Sequence, residues 1–288
     1  MRHCPLLRWR LATRADGKAA SSQVDQSKPS IARVYDYLLG GKDNYEADRV
    51  VGDKFKNDLP GSVAIAHANR QNLIRAVREI ALAGIDQFID IGSGLPTADN
   101  VHQVAQRHVP DARVVYIDSD PIVLAHGRAL LADNPSTRVI QADVRDPRSI
   151  REHMETTSLI DFERPVAVIH SAVLHHINDD EGPGSIVRYW QEQVPPGSYF
   201  FVSHFRSGDN PETREAEAVL QSTFGRGRWR TDEEIQALFD GLEILEPGIV
   251  PSPLWRPGTA VAPAGVGSAE HELTVWERLI VGGLARKP

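Results

Sequence analysis

The side chains of this chain whose types and positions could do chemistry fall into two sets. One is a glycine turn with three acids: Asp90-Ile91-Gly92-Ser93-Gly94, then Asp118 with Ser119, then Asp143 with Val144. The other is four histidines, His170, His175, His176 and His204, with Ser171 beside the first. Glycines in a turn let the backbone pass close to a ligand. A carboxylate at the end of the next strand, as Asp118 would be, can accept both hydroxyls of a ribose. Asp143, or the amide next to it, can address an adenine edge. Histidine titrates near neutrality, so any of the four could take a proton from an acceptor. Their spacing, even with Asp179 and Asp180, matches no compact zinc signature, and no metal is expected.

The charges of the turn select among adenosine cofactors. A dinucleotide presses a pyrophosphate against the first helix, usually with a third glycine in Gly-x-Gly-x-x-Gly. Here Thr97 stands at that position, Pro96 stiffens the turn and Asp90 adds negative charge. Negative charge repels a pyrophosphate and suits the sulfonium and ammonium of S-adenosyl-L-methionine. A nicotinamide-dependent oxidoreductase would share the turn and Asp118 but needs the missing glycine.

The elements that must position these residues alternate along the chain. Short apolar runs at Gln87–Ile91, Arg113–Ile117, Thr137–Gln141, Val166–His170, Ser198–Ser203, Leu242–Val250 and Leu273–Val281 read as strands. Amphipathic stretches at Thr97–His108, Pro121–Leu131, Pro147–Glu155, Ser185–Gln193, Glu212–Thr223 and Thr231–Phe239 read as helices. Apolar strands without internal alternation, separated by helices, predict a parallel sheet covered on both faces. The last two strands would form an antiparallel edge. The Pro/Gly loop between them, 251–267, reads as low complexity, with a lid over the site as the alternative. In this reading His170 and His204 each close a strand and face the crevice. Ahead of the sheet, helical spacing appears at Ile31, Val34, Tyr35, Leu38 and Leu39, and again from Asn69 to Ala83.

Composition bounds the rest. The chain has 288 residues, 41% hydrophobic and 25% charged, which is ordinary globular usage. No run approaches the roughly 20 apolar residues of a membrane helix. A single cysteine, Cys4, leaves no disulfide framework. A net charge of −7 is a poor basis for wrapping nucleic acid. Arg226-Gly-Arg-Trp-Arg230 is read as a solvated basic turn. The early basic residues Arg8 and Arg10 interrupt any signal-peptide core. A cytoplasmic protein is expected, with a disordered tail over 1–30, an N-terminal helical cover over 31–86 and a cofactor-binding core over 87–288.

Several stretches carry a resemblance: Pro29–Arg49 (PSIARVYDYLLGGKDNYEADR), Phe88–Thr97 (FIDIGSGLPT), Val115–Pro121 (VYIDSDP), Ala142–Pro147 (ADVRDP), His170–Ile177 (HSAVLHHI), Leu238–Gly248 (LFDGLEILEPG) and Gly282–Pro288. They span residues 29–288 nearly end to end. With them the chain resembles a bacterial family of S-adenosyl methyltransferases, class I enzymes whose acceptor is generally unassigned. The resemblance implies an α/β, Rossmann-like fold with a seven-stranded, mostly parallel sheet and an antiparallel last strand. It implies that Asp90, Gly92 and Gly94 form the cofactor turn, that Asp118 and Ser119 hold the ribose, and that Asp143 and Val144 flank the adenine. His170 and Ser171 would lie near the methyl group, with Tyr35 and Asn44 in the cover. His170, His175 and His204 are the candidates for catalysis, and the partner would be a small-molecule acceptor. A module that binds the cofactor without turnover is the alternative.

Overall fold

Apolar runs become strands here because both faces of the sheet are covered. The computed structural model describes residues 25–97, 99–130, 134–208, 210–257 and 273–288. Five parallel strands, β1 (Gln87–Ile91), β2 (Arg113–Asp118), β3 (Thr137–Gln141), β4 (Ala167–Ser171) and β5 (Tyr199–Phe205), lie in the order β3-β2-β1-β4-β5. Strands β6 (Glu243–Ile244), β7 (Val250–Pro251) and β8 (Ile280–Arg286) complete the sheet, with β8 antiparallel beside β5. Gly282 pairs with Ser203 on one side and Val250 on the other; Ala285 pairs with Phe200 and Ile244. Thus β6 and β7 share the far side of β8 and fill one strand position. The eight strands of the described residues thus occupy the seven positions that the resemblance implies.

Among the described residues ten α-helices surround the sheet: α1 (Ile31–Leu38), α2 (Glu46–Asp58), α3 (Ser62–Leu82), α4 (Val101–Gln106), α5 (Pro121–Leu130), α6 (Pro147–Glu152), α7 (Met154–Leu159), α8 (Pro183–Gln193), α9 (Pro211–Phe224) and α10 (Asp232–Ala237). One face packs Ile89, Val115 and Phe200 against Ile186 and Trp190 of α8 and Ile235 of α10. The other packs Phe88, Val114 and Phe201 against Leu73, Val77 and Ile80 of α3, with Val104 of α4. A third cluster joins α1, α2 and the start of α3 to α9 and Trp229. Among the described residues no helix is long and apolar enough to cross a membrane.

Several boundaries differ from the sequence expectation. The helix expected over 147–155 is two, α6 and α7, because His153 between them is extended (φ −60°, ψ 135°) and its ring accepts the Glu155 N–H at 3.2 Å. The strand expected over 242–250 is broken by a turn in which Gly248 N–H donates to Leu245 O at 2.9 Å. The last strand begins at Ile280 rather than Leu273. Strands β4 and β5 run past His170 and His204, to Ser171 and Phe205. Of the expected tail, residues 1–24 lie outside the described residues. Residues 25–30 lead into α1, with Ser30 N–H donating to Asp48 Oδ1 at 2.8 Å. Residues 258–272, most of the loop weighed as a lid, also lie outside.

A buried charge cluster ties α1 and α2 to the sheet. Arg33, 4% exposed, has its Nε 3.3 Å from Asp48 Oδ2 and 3.6 Å from Asp120 Oδ2. Ser30 Oγ donates to the same Asp120 carboxylate.

Candidate functional site

The strand order reverses between β1 and β4, the place where open α/β sheets bind ligands. There the C-terminal ends of β1 to β4 open into a cavity of about 330 Å³. Its polar half is walled by the loops after β1, β2 and β3. Its apolar half is walled by α1, α2, α9 and Trp229. The loop after β4 touches both.

The glycine turn is fixed by its backbone. Gly92 and Ser93 N–H both donate to Ile117 O, at 2.8 and 3.0 Å. Gly92 has φ +73° and Gly94 has φ +66°, a region in which a Cβ is strained. The two positions differ in space. A Cβ on Gly92 would stand 2.5 Å from Val173 Cγ2, whereas one on Gly94 would meet nothing within 4 Å. Gly92→Ala is therefore expected to lower stability by about 2 kcal/mol through strain and overlap. Gly94→Ala should lower it by about 1 kcal/mol through strain alone, since its methyl enters the cavity. Urea unfolding of both variants checks this, and an equal loss would remove the overlap argument.

Asp118 sits at the centre of the polar half. Its Oδ2 accepts the Gly94 N–H and its Oδ1 accepts the Asp120 N–H, both at 2.9 Å. Burial nonetheless raises its pKa. Asp90 is 3% exposed, and burial raises its pKa to about 7, opposed by Arg70 and reinforced by Asp118. Asp143 differs. Arg145 Nε donates to both its oxygens at 2.9 and 3.0 Å and holds it below the usual carboxylate range. Arg145 Nη1 also reaches Glu181 at 2.6 Å, and Arg226 donates to that same carboxylate.

The cavity brings together Tyr35, Asp90, Gly92, Gly94, Asp118, Ser119, Asp143, Val144, Ser171 and His175 from the residues singled out in the sequence. His170, His204 and Asn44 are not in its lining. His170 lies within β4 on the face of Val168, fully buried, with both ring nitrogens unpartnered and its pKa driven down to about 3 by burial. His204 is fully buried within β5. Its Nε2 accepts from Arg230 Nη1 at 3.0 Å, so Nδ1 carries the proton and donates to Phe205 O at 2.6 Å. Asn44 Nδ2 donates to Asp36 Oδ2 at 2.9 Å and to Gly41 O at 3.1 Å, bracing the loop before α2. His175 does reach the cavity. Its Nδ1 accepts the Phe205 N–H at 3.4 Å, and burial keeps the ring neutral, with its pKa well below the ordinary value.

Other lining residues carried no signal in the sequence. Arg70, on the polar face of α3, stands on the same wall as Asp90. Phe55, Phe205 and Phe224 read as ordinary core aromatics. The basic turn is not a solvated patch. Arg226 pairs with Glu181, Arg228 with Asp179 and Glu234, and Arg230 is 3% exposed. Trp255, in the loop after β7, is fully buried against α3 in the sheet core.

A family model described as S-adenosyl methyltransferase matches residues 17–288. The chain belongs to the S-adenosyl methyltransferase family. Solved structures similar to this chain share its fold. A candidate methyltransferase from Thermobifida fusca YX is 44% identical, covers 94% of this chain and 99% of its own, and superposes with a TM-score of 0.86. A DUF574 family protein from Streptomyces avermitilis is 38% identical over 92% of this chain and all of its own, at 0.85. An O-methyltransferase family protein from Burkholderia thailandensis, 14% identical over 83% of this chain and 62% of its own, shares the fold at 0.51. The chain also matches UDP-2,3-diacylglucosamine hydrolase from Xanthomonas campestris, 27% identical over 131 residues, 43% of this chain. It spans about half the length of the curated relatives it matches. The family's cofactor fits the polar half of the cavity. An open space faces Gly94, buried carboxylates suit hydroxyls and an ammonium, and Arg70 suits a carboxylate.

Proposed function

We propose that this chain transfers a methyl group from S-adenosylmethionine to a small-molecule acceptor. The observation that carries this reading is the convergence of Asp90, Gly94, Asp118 and Val144 on one half of a cavity whose other half is apolar. S-adenosylmethionine supplies an electrophilic methyl carbon on a sulfonium. Asp118 has lone pairs left beyond its two backbone donors and accepts the ribose hydroxyls. With the Asp143 carboxylate held by Arg145, the Val144 backbone amide addresses the adenine. Asp90 and Arg70 take the ammonium and carboxylate of the amino-acid end. Tyr35, whose hydroxyl donates to Ala66 O at 2.9 Å and accepts from Asn69 Nδ2 at 3.1 Å, and Ser171 border the reacting centre. Alignment of acceptor and methyl carbon supplies most of the acceleration, up to about 7–11 kcal/mol in favourable cases. Of the four histidines, His175 and His176 line the cavity; with its Nδ1 accepting the Phe205 N–H, His175 carries its proton on Nε2 and orients an acceptor as a hydrogen-bond donor.

Calorimetric titration with S-adenosylmethionine, S-adenosylhomocysteine and NAD tests the reading. Micromolar binding of the first two with NAD silent is expected, followed by transfer of labelled methyl to extract compounds. Binding of NAD alone would overturn it. Binding without turnover on any extract would make the chain a cofactor-binding module.

The pKa of Asp90 adds a pH dependence. A nearby ammonium favours the ionised carboxylate, so binding expels the proton that Asp90 holds below about pH 7. S-adenosylhomocysteine affinity should rise about ten-fold from pH 6 to pH 8 as that proton is lost beforehand. Asp90→Asn should flatten the profile. An unchanged slope in the variant would place the titration elsewhere.

A further inference from the structure

Six rings form a continuous wall on the apolar half of the cavity. From Phe55 the centroids step 6.2 Å to Phe224, 6.4 Å to His176, 4.3 Å to His175, 4.4 Å to Phe205 and 4.9 Å to Trp229. All six line the cavity, and they come from α2, α9, the loop after β4, the end of β5 and the turn before α10. Ring pairs at these separations favour offset or edge contacts, the geometry in which a further aromatic ring is also accepted.

Among the described residues, two buried polar atoms of these rings have no partner. Trp229 is 2% exposed and its Nε1 is buried with no hydrogen bond; the same holds for Nδ1 of the half-buried His176. A buried donor left unmade costs roughly 1–3 kcal/mol, so a ligand that meets it gains that amount back. The indoles of Trp190 and Trp255 also lack partners, but both pack in the sheet core, outside the cavity. The wall itself carries no formal charge. Both imidazoles are neutral, and Arg226 at the rim is engaged by Glu181.

We infer that the acceptor is a neutral, planar aromatic molecule with hydroxyl substituents at its edge, held against the six-ring wall with its oxygens on His176 Nδ1 and Trp229 Nε1. A hydroxyl both donates and accepts, so it satisfies either tautomer of His176, and it accepts from the indole N–H. An anion would shed its hydration against apolar walls, and Arg226 at the rim is already paired with Glu181. A cation could lie over the rings, but it would leave the indole donor unmade. This inference rests on the methyl-transfer reading, because it takes the polar half of the cavity as the donor's place.

The test uses the full chain saturated with S-adenosylhomocysteine. Three probes are titrated by calorimetry: 2,6-dihydroxynaphthalene, naphthalene-2,6-dicarboxylate and 2-naphthylmethylammonium. The diol should bind at least ten-fold more tightly than either ion. Trp229→Phe should weaken diol binding about five-fold, the loss of one hydrogen bond, with S-adenosylhomocysteine affinity unchanged. If Trp229→Phe does not fold, His176→Phe, which keeps the ring and removes Nδ1, carries the same expectation. Equal affinity for the three probes, tighter binding of the cation, or unchanged diol affinity in the variants overturns the inference. Selective diol binding by a chain that ignores S-adenosylhomocysteine would leave the ring wall as a binding site and sink the methyl-transfer reading instead.

Discussion

Asp118→Ala is expected to weaken S-adenosylhomocysteine binding about 100-fold. Two charge-assisted hydrogen bonds to ribose hydroxyls, each contributing about 1.5–3 kcal/mol, would be lost together. The substitution also frees the Gly94 and Asp120 N–H groups that the carboxylate now holds at 2.9 Å each. Asparagine is not a conservative control. Both oxygens of Asp118 accept backbone N–H groups, and an amide nitrogen in place of one would face a donor with a donor. Asp118→Asn should therefore lose nearly as much affinity as the alanine. Calorimetry on both variants decides the matter, and an affinity within three-fold of the parent would remove Asp118 from the binding site.

Arg230→Ala should destabilise the fold by about 4 kcal/mol. The guanidinium ties the loop after β4 to β5. Its Nη1 donates to Leu174 O at 3.1 Å and to His204 Nε2 at 3.0 Å. Its Nη2 donates to Ile177 O and to Asp179 Oδ1, both at 2.9 Å. Removal strands the Ile177 carbonyl and the His204 Nε2 in a buried setting, each at a cost of roughly 1–3 kcal/mol, and leaves the Leu174 carbonyl with the Ile177 N–H alone. The carbonyls belong to the loop that carries His175 and His176, so S-adenosylhomocysteine affinity and melting temperature should fall together, the latter by about 10 °C. Lysine offers one ammonium for a site that uses a fork, and Arg230→Lys should recover less than half of the loss. A change below 1 kcal/mol in thermal unfolding would show that water replaces the guanidinium.

Much of this architecture was legible in the sequence, for a physical reason. Gln87–Ile91 and Thr137–Gln141 are strands to the residue because apolar side chains on both faces of a parallel sheet leave an uninterrupted run. The glycine turn with the strand-end acids was legible because sheet topology brings successive strand ends to one crevice. The late strand was hidden by its composition. Gly282 and Gly283 argue against a strand on propensity, yet they are required there. A Cβ on Gly282 would overlap Asn72 Nδ2, and one on Gly283 would stand 3.0 Å from Ile249 Cγ1. Close approach across the sheet is a tertiary fact with no local trace. The histidines were misplaced for a related reason. His170 and His204 look like strand ends in sequence, but β4 and β5 continue past them, and that continuation moves both rings from the crevice into the core. The ring wall was invisible because Phe55, Phe205, Phe224 and Trp229 come from separate elements that only the tertiary fold brings together, and they have the composition of a core.

The division of one strand position between β6 and β7 bears on how the molecule behaves in a crowded solution. A sheet edge with a continuous row of unpaired amides and carbonyls is a template for another chain. Here each edge segment is two residues long, the chain turns away between them at Leu245–Gly248, and Pro251 has no N–H to offer. An incoming strand would find no register to extend. The interruption that made this strand hard to read in the sequence also keeps this side of the sheet from recruiting a neighbour's strand.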